Sequence, residues 1–414
     1  MSLPKKIGYN TFCQLFGKAV SALSTFLVLG LVARRFGEAG TGEFTLVLSY
    51  TALFYLISDF GLNAVTVKKM VAKKEKAPFY FQNLLGLRIV FGLFLILTAL
   101  FISRFLPYSK TFKLGVILTS LTILTQSIFT TSNALFQSRL RYDLSVLASL
   151  FGSLVTVFLA FVFTYQKLPL INLLVAYPLG GAVMATISLF TINYLQFSIH
   201  PLFDFRFWRT LVFATLPLAL TLIVDLLHFK IDTFILAYFR PITEVGVYNL
   251  AYKIFENILV FPIFFVNSIY PLLIEDHMQG VQKLRLSIKK SLFFLLTVSV
   301  LSSLCCVLCS PFIIRLLAGK GFSGSVLTLR ILSFSLPAFF TTCLLMWVLI
   351  TLGKQWLLFK IYFLAMILDL ISNLLFIPKY GFLAAAVTTG VTEGLVLILE
   401  GWFVFKFLNH PSHA

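Results

Sequence analysis

Charge is what this sequence has least of. Only 12% of its 414 residues are Asp, Glu, Lys or Arg, about half the roughly one quarter that keeps the surface of a soluble domain wet. With 59% apolar side chains, the chain cannot hide its greasy surface in one water-soluble core, which excludes an aqueous globular enzyme. Acidic residues are the scarcer sign: 15 Asp and Glu stand against 33 Lys and Arg, a formal charge of +18. In a soluble protein that excess would suggest nucleic acid. Here no nucleic-acid partner is expected, because polytopic membrane proteins collect Lys and Arg in cytoplasmic loops that face anionic lipid.

Cysteine is sparse as well, and four of the five (Cys305, Cys306, Cys309 and Cys343) lie in apolar runs. Thiolates there would lack cationic neighbours, so packing is expected rather than a zinc site or a disulfide. The five histidines form no HExxH or paired Cys/His framework, so neither a metal set nor a resident cofactor is expected, only H+ or Na+ as a coupling ion. A Gly-rich phosphate loop is missing. No large extracytoplasmic loop is available to assemble an acid, a base and a nucleophile, and catalytic residues are therefore not assigned. The N-terminus, Met1-Ser2-Leu3-Pro4-Lys5-Lys6, leads into an apolar stretch with no small-residue cleavage site. The first helix is expected to be retained.

What fills the chain instead is a series of apolar runs. A span needs about 20 mainly apolar residues, and twelve are read at roughly 11–33, 42–60, 80–103, 114–137, 143–165, 170–194, 211–237, 245–273, 290–315, 326–351, 356–377 and 381–406. The expected fold class is all-α and polytopic, since helices satisfy every backbone donor and acceptor within lipid. An even number of spans leaves both termini on one side. Assigning that side to the cytoplasm puts seventeen Lys and Arg inside against ten outside, which favours a multi-pass protein of the inner membrane with both ends cytoplasmic. Residues 61–79 mix apolar and basic side chains as an interfacial helix would, and an ordinary solvated basic loop fits them equally.

The chain also halves. Gly42-Glu43-Phe44-Thr45-Leu46, opening the second span, recurs in kind as Gly246-Val247-Tyr248-Asn249-Leu250 in the eighth, an offset of 204 residues, and an aromatic precedes each copy at Phe36 and Phe239. The expected organisation is an N-terminal six-helix lobe (1–194), a cytoplasmic interfacial linker (195–210) rich in Phe and Trp, and a C-terminal six-helix lobe (211–414). Lobes with an even number of spans share one orientation. Their pseudo-twofold axis then runs along the membrane normal, with a central cavity between the bundles.

Charges persist inside the spans. One at the bilayer centre costs about 3 kcal/mol even on the lenient insertion scale, so most must face protein or water. Helical spacing gathers them on stripes. Asn10, Gln14, Lys18, Ser21 and Thr25 share one face of the first span, and Thr119, Thr122, Gln126, Thr130, Asn133 and Gln137 one face of the fourth. In the seventh span Asp225, His228 and Asp232 align, and in the eighth Asn249, Lys253, Glu256 and Asn267. Asp369 with Ser372 and Asn373, and Thr389 with Glu393 and Glu400, extend the pattern. Substrate-binding candidates are Lys18, Arg88, Lys253, Asn249 and Gln126. Lys18 and Arg88 lead, because the first half holds only Asp59 as an embedded counter-ion and unpaired cations attract an anionic cargo. Ion-coupling candidates are Asp225, Asp232, Asp369, Glu393 and Glu256. Lys360 and Glu400 read as helix-end groups that snorkel to the interface. Local pairing of Lys253 with Glu256, and polar side chains acting only as glue between helices, explain part of the pattern without transport. Gly180 and Gly181 after Pro178, with Pro217, Pro262 and Pro337, offer bends and close helix approaches.

Several segments together resemble a known family: Arg35-Phe36-Gly37 with Gly40-Thr41-Gly42-Glu43-Phe44; Ser58-Asp59-Phe60-Gly61-Leu62-Asn63; Val245-Gly246-Val247-Tyr248-Asn249-Leu250-Ala251-Tyr252-Lys253; and Ile377-Pro378-Lys379-Tyr380-Gly381-Phe382-Leu383-Ala384-Ala385-Ala386. In order and spacing they are similar to the polysaccharide transporters of the multidrug/oligosaccharidyl-lipid/polysaccharide exporter superfamily, above all the Wzx-type flippases of O-antigen and capsule repeat units. The resemblance implies a V-shaped pair of six-helix lobes and an undecaprenyl-diphosphate-linked anionic oligosaccharide as cargo. It further implies flipping by alternating access driven by an ion gradient, and association with membrane lipids and with glycan polymerase machinery. The family's cationic lumen maps onto Lys18, Arg88 and Lys253, whereas the many carboxylates of the second half depart from it. A cation-coupled exporter of small molecules or drugs is the alternative within the same fold. A non-enzymatic scramblase would differ from both in needing no gradient.

Overall fold

The structure, a computed structural model, describes residues 3–59 and 61–409, and within them every side chain except those of residues 3–8, 10, 11, 217, 218, 221, 222 and 225. Among the described residues all regular structure is helical. In chain order it comprises α1 (Leu3–Asp59), α2 (Leu62–Ala72), a short 3-10 turn (Lys74–Lys76), α3 (Ala77–Phe105), α4 (Lys110–Thr119), α5 (Leu121–Ser138), α6 (Tyr142–Tyr165) and α7 (Leu170–Tyr194). There follow α8 (Phe205–Phe239), α9 (Ile242–Ile258), α10 (Val260–Gln279), α11 (Val281–Ala318), α12 (Ser323–Thr351), α13 (Gln355–Tyr380) and α14 (Phe382–Asn409).

Each of the twelve expected spans has helix beneath it, though not always one straight rod. The first two are parts of α1, which turns at Gly37, where φ is 65° and ψ −162°. Only glycine adopts that backbone without strain, and the Thr41 hydroxyl donates to the Gly37 carbonyl at 2.7 Å to restart the helix. The expected fourth span is broken at Ser120 into α4 and α5, and the eighth at Leu259 into α9 and α10. Long outward stripes of large apolar side chains, such as Leu93, Phe94, Leu97, Phe101 and Phe105 on α3 and Phe293, Leu301, Leu304, Leu308 and Phe312 on α11, are exposed. Exposed apolar area on that scale belongs in hydrocarbon, and the chain is a multi-pass membrane protein.

Packing divides the chain into two compact units at Ile223/Val224, within α8. In the first unit α7 lies close to α6 and α5. A Cβ at Gly180 would fall 1.9 Å from Thr156 Oγ1, and one at Gly181 would fall 2.5 Å from Thr125 Oγ1. These are the small-residue contacts that let membrane helices approach. The segment before α8 is fastened to α3: Leu202 N–H donates to the Gln82 carbonyl at 3.0 Å and Trp208 Nε1 to the Asn83 carbonyl at 3.0 Å. Trp208 is consequently buried, while Phe203 and Phe205 remain exposed.

A stitch of one kind recurs in each unit. Arg35, at the end of the first span, donates to the Lys167 carbonyl at 3.3 Å, just before α7. Arg240, at the end of the seventh, donates to the Pro378 carbonyl at 3.4 Å, just before α14. In the second unit the neighbouring Glu244 joins in, accepting from Arg240 Nε at 2.9 Å and from the backbone N–H of Phe382 at 3.1 Å. That ion pair raises the already high pKa of Arg240. Glu244 thereby supplies a carboxylate to the start of α14, whose first N–H groups have no partner inside the helix. The same contact explains Gly381, which has φ 59° and whose Cβ would sit 1.9 Å from Glu244 Oε2.

Candidate functional site

In the first unit the polar residues of α1, α3 and α5 meet at one buried locus. Arg88, on α3, is 1% exposed and forms an ion pair with Asp59 at the end of α1. Its Nη1 donates to Thr131 Oγ1 of α5 at 3.4 Å, and its Nε makes no hydrogen bond. Ser58 of α1 and Ser127 of α5 bond at 2.6 Å and Asn63 Nδ2 of α2 donates to the Thr130 carbonyl at 3.2 Å, which ties α1 and α2 to α5. The expectation of an uncompensated Arg88 is thus corrected. Asp59, a residue away from the α1–α2 turn, comes within reach of it, and removing a guanidinium from water without a counter-ion would cost several kcal/mol.

Lys18 lies exposed on α1 and Gln126 half-buried on α5, and the side chain of neither makes a hydrogen bond among the described residues. Of the stripe expected on the fourth span, Thr119 and Thr122 are buried and Gln137 is exposed. The enclosed face carries Thr125, Ser127, Thr131 and Ser132 instead, most of them donating to carbonyls one turn back, as polar residues in membrane helices do. Asn10 and Asp225 fall outside the described side chains.

The second unit contains a denser polar core. Asp232 of α8 is buried and accepts from the hydroxyl of buried Tyr248 on α9 and from the Thr233 N–H at 2.6 Å. Thr233 donates to Asn249 Oδ1 at 2.9 Å, and the Tyr248 hydroxyl lies 3.5 Å from that of Thr389 on α14. Asp369, buried on α13, accepts from Thr392 at 3.5 Å and is close enough to Asp232 to interact electrostatically. Asn373, one turn on, accepts from Thr388 at 2.7 Å. Glu393 accepts from Thr342 of α12. A basic group against this core is His228, whose Nδ1 stands 3.9 Å from Asp369 Oδ2 and makes no hydrogen bond. Glu400, two turns beyond Glu393 on α14, is 0% exposed, with neither oxygen in a hydrogen bond. Its expected snorkelling is therefore wrong: α14 presents Glu393 and Glu400 on its packed face, whereas Lys360 is exposed as anticipated.

Glu256 and Lys253 behave differently from those carboxylates. Glu256 accepts from Lys230 at 3.3 Å and Lys253 at 2.9 Å. A carboxylate already held by two ammonium groups has little use for a further cation, and Lys253 is not a free charge. Arg330, another embedded cation, is spent on α11, donating to Ser310 Oγ at 3.0 Å and the Val307 carbonyl at 3.1 Å. Sequence reasoning placed Asp232, Asp369, Asn373 and Glu393 in the wet stripe but missed Tyr248 and Thr342 as their donors. The hydroxyl inside the apolar run Gly246–Tyr252 was the available signal.

Asp232, Asp369 and Glu393 are thus enclosed with hydroxyl and amide partners, with Lys230 near enough to Asp232 to act on it electrostatically, and such a donor set is chemically suited to a proton or a small cation. A permanent anion cannot remain uncompensated in such a medium.

Comparison with known proteins bears on both units. A family model described as "Polysaccharide biosynthesis protein" matches residues 7–277. The capsular polysaccharide biosynthesis protein CapF of Staphylococcus aureus is 24% identical over 401 residues, covering 93% of this chain and 96% of that protein. Among solved structures, an inward-facing multidrug resistance MATE transporter of the MOP superfamily aligns with a TM-score of 0.79 at 12% identity, covering 98% of this chain and 99% of that one. The lipid II flippase MurJ in an inward closed conformation aligns at 0.75 and 13%, covering 96% and 87%. The chain belongs to the polysaccharide biosynthesis protein family and has the fold of the multidrug/oligosaccharidyl-lipid/polysaccharide exporter transporters.

Proposed function

We propose that the protein is a flippase that moves an undecaprenyl-diphosphate-linked anionic oligosaccharide, an O-antigen or capsular repeat unit, from the cytoplasmic to the outer leaflet of the cell membrane. It works by alternating access, with both termini cytoplasmic and an H+ or Na+ gradient as the driving force. The observation that supports the coupling is the enclosed set Asp232, Asp369 and Glu393 with its hydroxyl donors from Tyr248, Thr392 and Thr342. Loading a proton or cation there removes the repulsion between Asp232 and Asp369, so the packing of α8 against α13 and α14 depends on occupancy. Family membership supports the polysaccharide cargo.

A second reading, a cation-coupled exporter of small molecules, draws support from the compensation of Arg88 by Asp59 and of Lys253 by Glu256. Of the three cations expected to receive an anion, it leaves Lys18 without an ion pair among the described residues.

The test is flipping of a fluorescent lipid-linked oligosaccharide in proteoliposomes with imposed H+ or Na+ gradients. Wild type should respond to one gradient. Asp232→Asn and Asp369→Asn should lose that response, and Glu256→Gln should keep it. Gradient-independent flipping by the wild type would remove the coupling, and failure to flip the glycan lipid alongside efflux of a cationic dye would favour the second reading.

A further inference from the structure

A second cationic feature lies outside the residues assigned to transport. The stretch Lys68-Lys69-Met70-Val71-Ala72-Lys73-Lys74-Glu75-Lys76 has five lysines and one carboxylate. α2 buries Leu62, Thr66 and Met70 on one face. The chain then leaves the helix at Lys73 (φ −132°, ψ 80°), turns through Lys74–Lys76 and enters α3 with Pro78 in its first turn. This reversal brings Lys69, Lys73 and Lys76 around one cavity of about 350 Å³, completed by Ala72, Phe79, Tyr80 and Phe207. The size falls within the roughly 300–1,000 Å³ of ligand clefts.

The aromatic wall is preformed. Phe207 stacks on Tyr80 at 5.6 Å and meets Phe79 edge-on at 5.3 Å, with Lys69 Nζ 5.0 Å from its ring centre. Its backbone is fixed because Asp204 accepts from the N–H groups of Arg206 and Phe207 at 3.0 Å each and itself donates its N–H to Asn83 Oδ1 at 3.1 Å. Among the described residues none of the three lysines forms an ion pair, and Glu75 is exposed and pairs with none of them. Three ammonium groups held together without an anion, beside a rigid apolar wall, form a receptor for a multiply charged anion attached to something greasy.

Position favours a lipid as its source. The cavity sits at the start of α3, whose outward stripe of Leu93, Phe94, Leu97 and Phe101 is the lipid-facing one. That places it at the depth of the head groups, on the side the charge bias assigns to the cytoplasm. We propose that this pocket binds the phosphate head group of an anionic membrane lipid carrying at least two negative charges, a phosphomonoester or a diphosphate. Lys69, Lys73 and Lys76 receive the oxygens, and Phe79 and Phe207 pack against the first carbons of the tail. The site is independent of Lys18 and Arg88 and stands or falls separately from the flipping reaction.

Native mass spectrometry of the purified full chain in detergent, titrated with phosphatidic acid, phosphatidylglycerol or inorganic pyrophosphate, tests it. Phosphatidic acid should be retained about tenfold more tightly than singly charged phosphatidylglycerol, as charge-assisted contacts predict. The variant Lys69→Gln/Lys73→Gln/Lys76→Gln should lose that preference, and Phe207→Leu should weaken retention without altering net charge. The control Lys68→Gln/Lys74→Gln should bind like wild type, and all variants should melt at wild-type temperature. Undiminished retention by the triple variant, an equal loss in the control, or pyrophosphate binding as tightly as phosphatidic acid would each overturn the proposal, the last by showing a site for a soluble anion.

Discussion

Arg88 and Asp59 are paired inside the first unit, and the two are unequally placed: the guanidinium is enclosed, whereas the carboxylate is 38% exposed. Losing either partner therefore has different consequences. Asp59→Asn strands a buried cation and should destabilise the protein by about 3 kcal/mol, while Arg88→Met leaves a carboxylate that still reaches water and should cost less. The double variant should be more stable than Asp59→Asn alone. Melting of the purified variants in one detergent checks the order, and a double variant less stable than Asp59→Asn would show that the pair is not a compensated unit.

Lys18, by contrast, has no counter-ion among the described residues. Lys18→Ala should leave melting within about 0.5 kcal/mol of wild type yet reduce glycan export in a strain that depends on the protein. Normal export would remove Lys18 from cargo binding.

Removing the hydroxyl of Tyr248 takes one buried donor from Asp232. Tyr248→Phe should cost about 1–3 kcal/mol, the range for hydrogen bonds to charged or desolvated groups. It should also alter the gradient response of flipping, because the carboxylate proposed to carry the ion loses its partner. A stable variant with wild-type gradient response would confine Tyr248 to packing.

Glu244 and Gly381 make the corresponding prediction for the second unit's stitch. Gly381→Ala puts a methyl into the Glu244 carboxylate at a positive φ and should destabilise by about 1–3 kcal/mol. Glu244→Ala/Gly381→Ala should recover part of that, since the clash is gone and the backbone strain remains. Additive losses in thermal melts would contradict the geometry.

The spans were legible because hydrocarbon imposes one requirement, length with apolarity, that any run of residues either meets or fails. Breaks inside them were not. The break at Leu259 falls three residues before Pro262, which offered a bend without fixing its place, and Ser120 divides α4 from α5 with helical dihedrals and no proline or glycine beside it. Charges divided along similar lines. Helical spacing put Asp369 and Glu393 on inward stripes, but spacing is silent on what stands opposite. Arg88 acquired Asp59 from 29 positions away, and Glu256 acquired Lys230 from 26. Each pairing converts a candidate for transport into a charge already answered by its own fold. The recurring motif around Gly246 and the segment Ile377–Ala386 had no stated reason in the sequence. The carboxylate of Glu244, joining Arg240, Phe382 and the space over Gly381, supplies one.

The direction of that last contact matters for how the protein is made. The ribosome emits Glu244 138 residues ahead of Phe382, so when α14 enters the bilayer its N-terminal cap is already waiting. A carboxylate lost upstream would leave the earlier segments to insert normally and reveal itself only when α14 is made, as a chain in which that helix stays open to proteolysis.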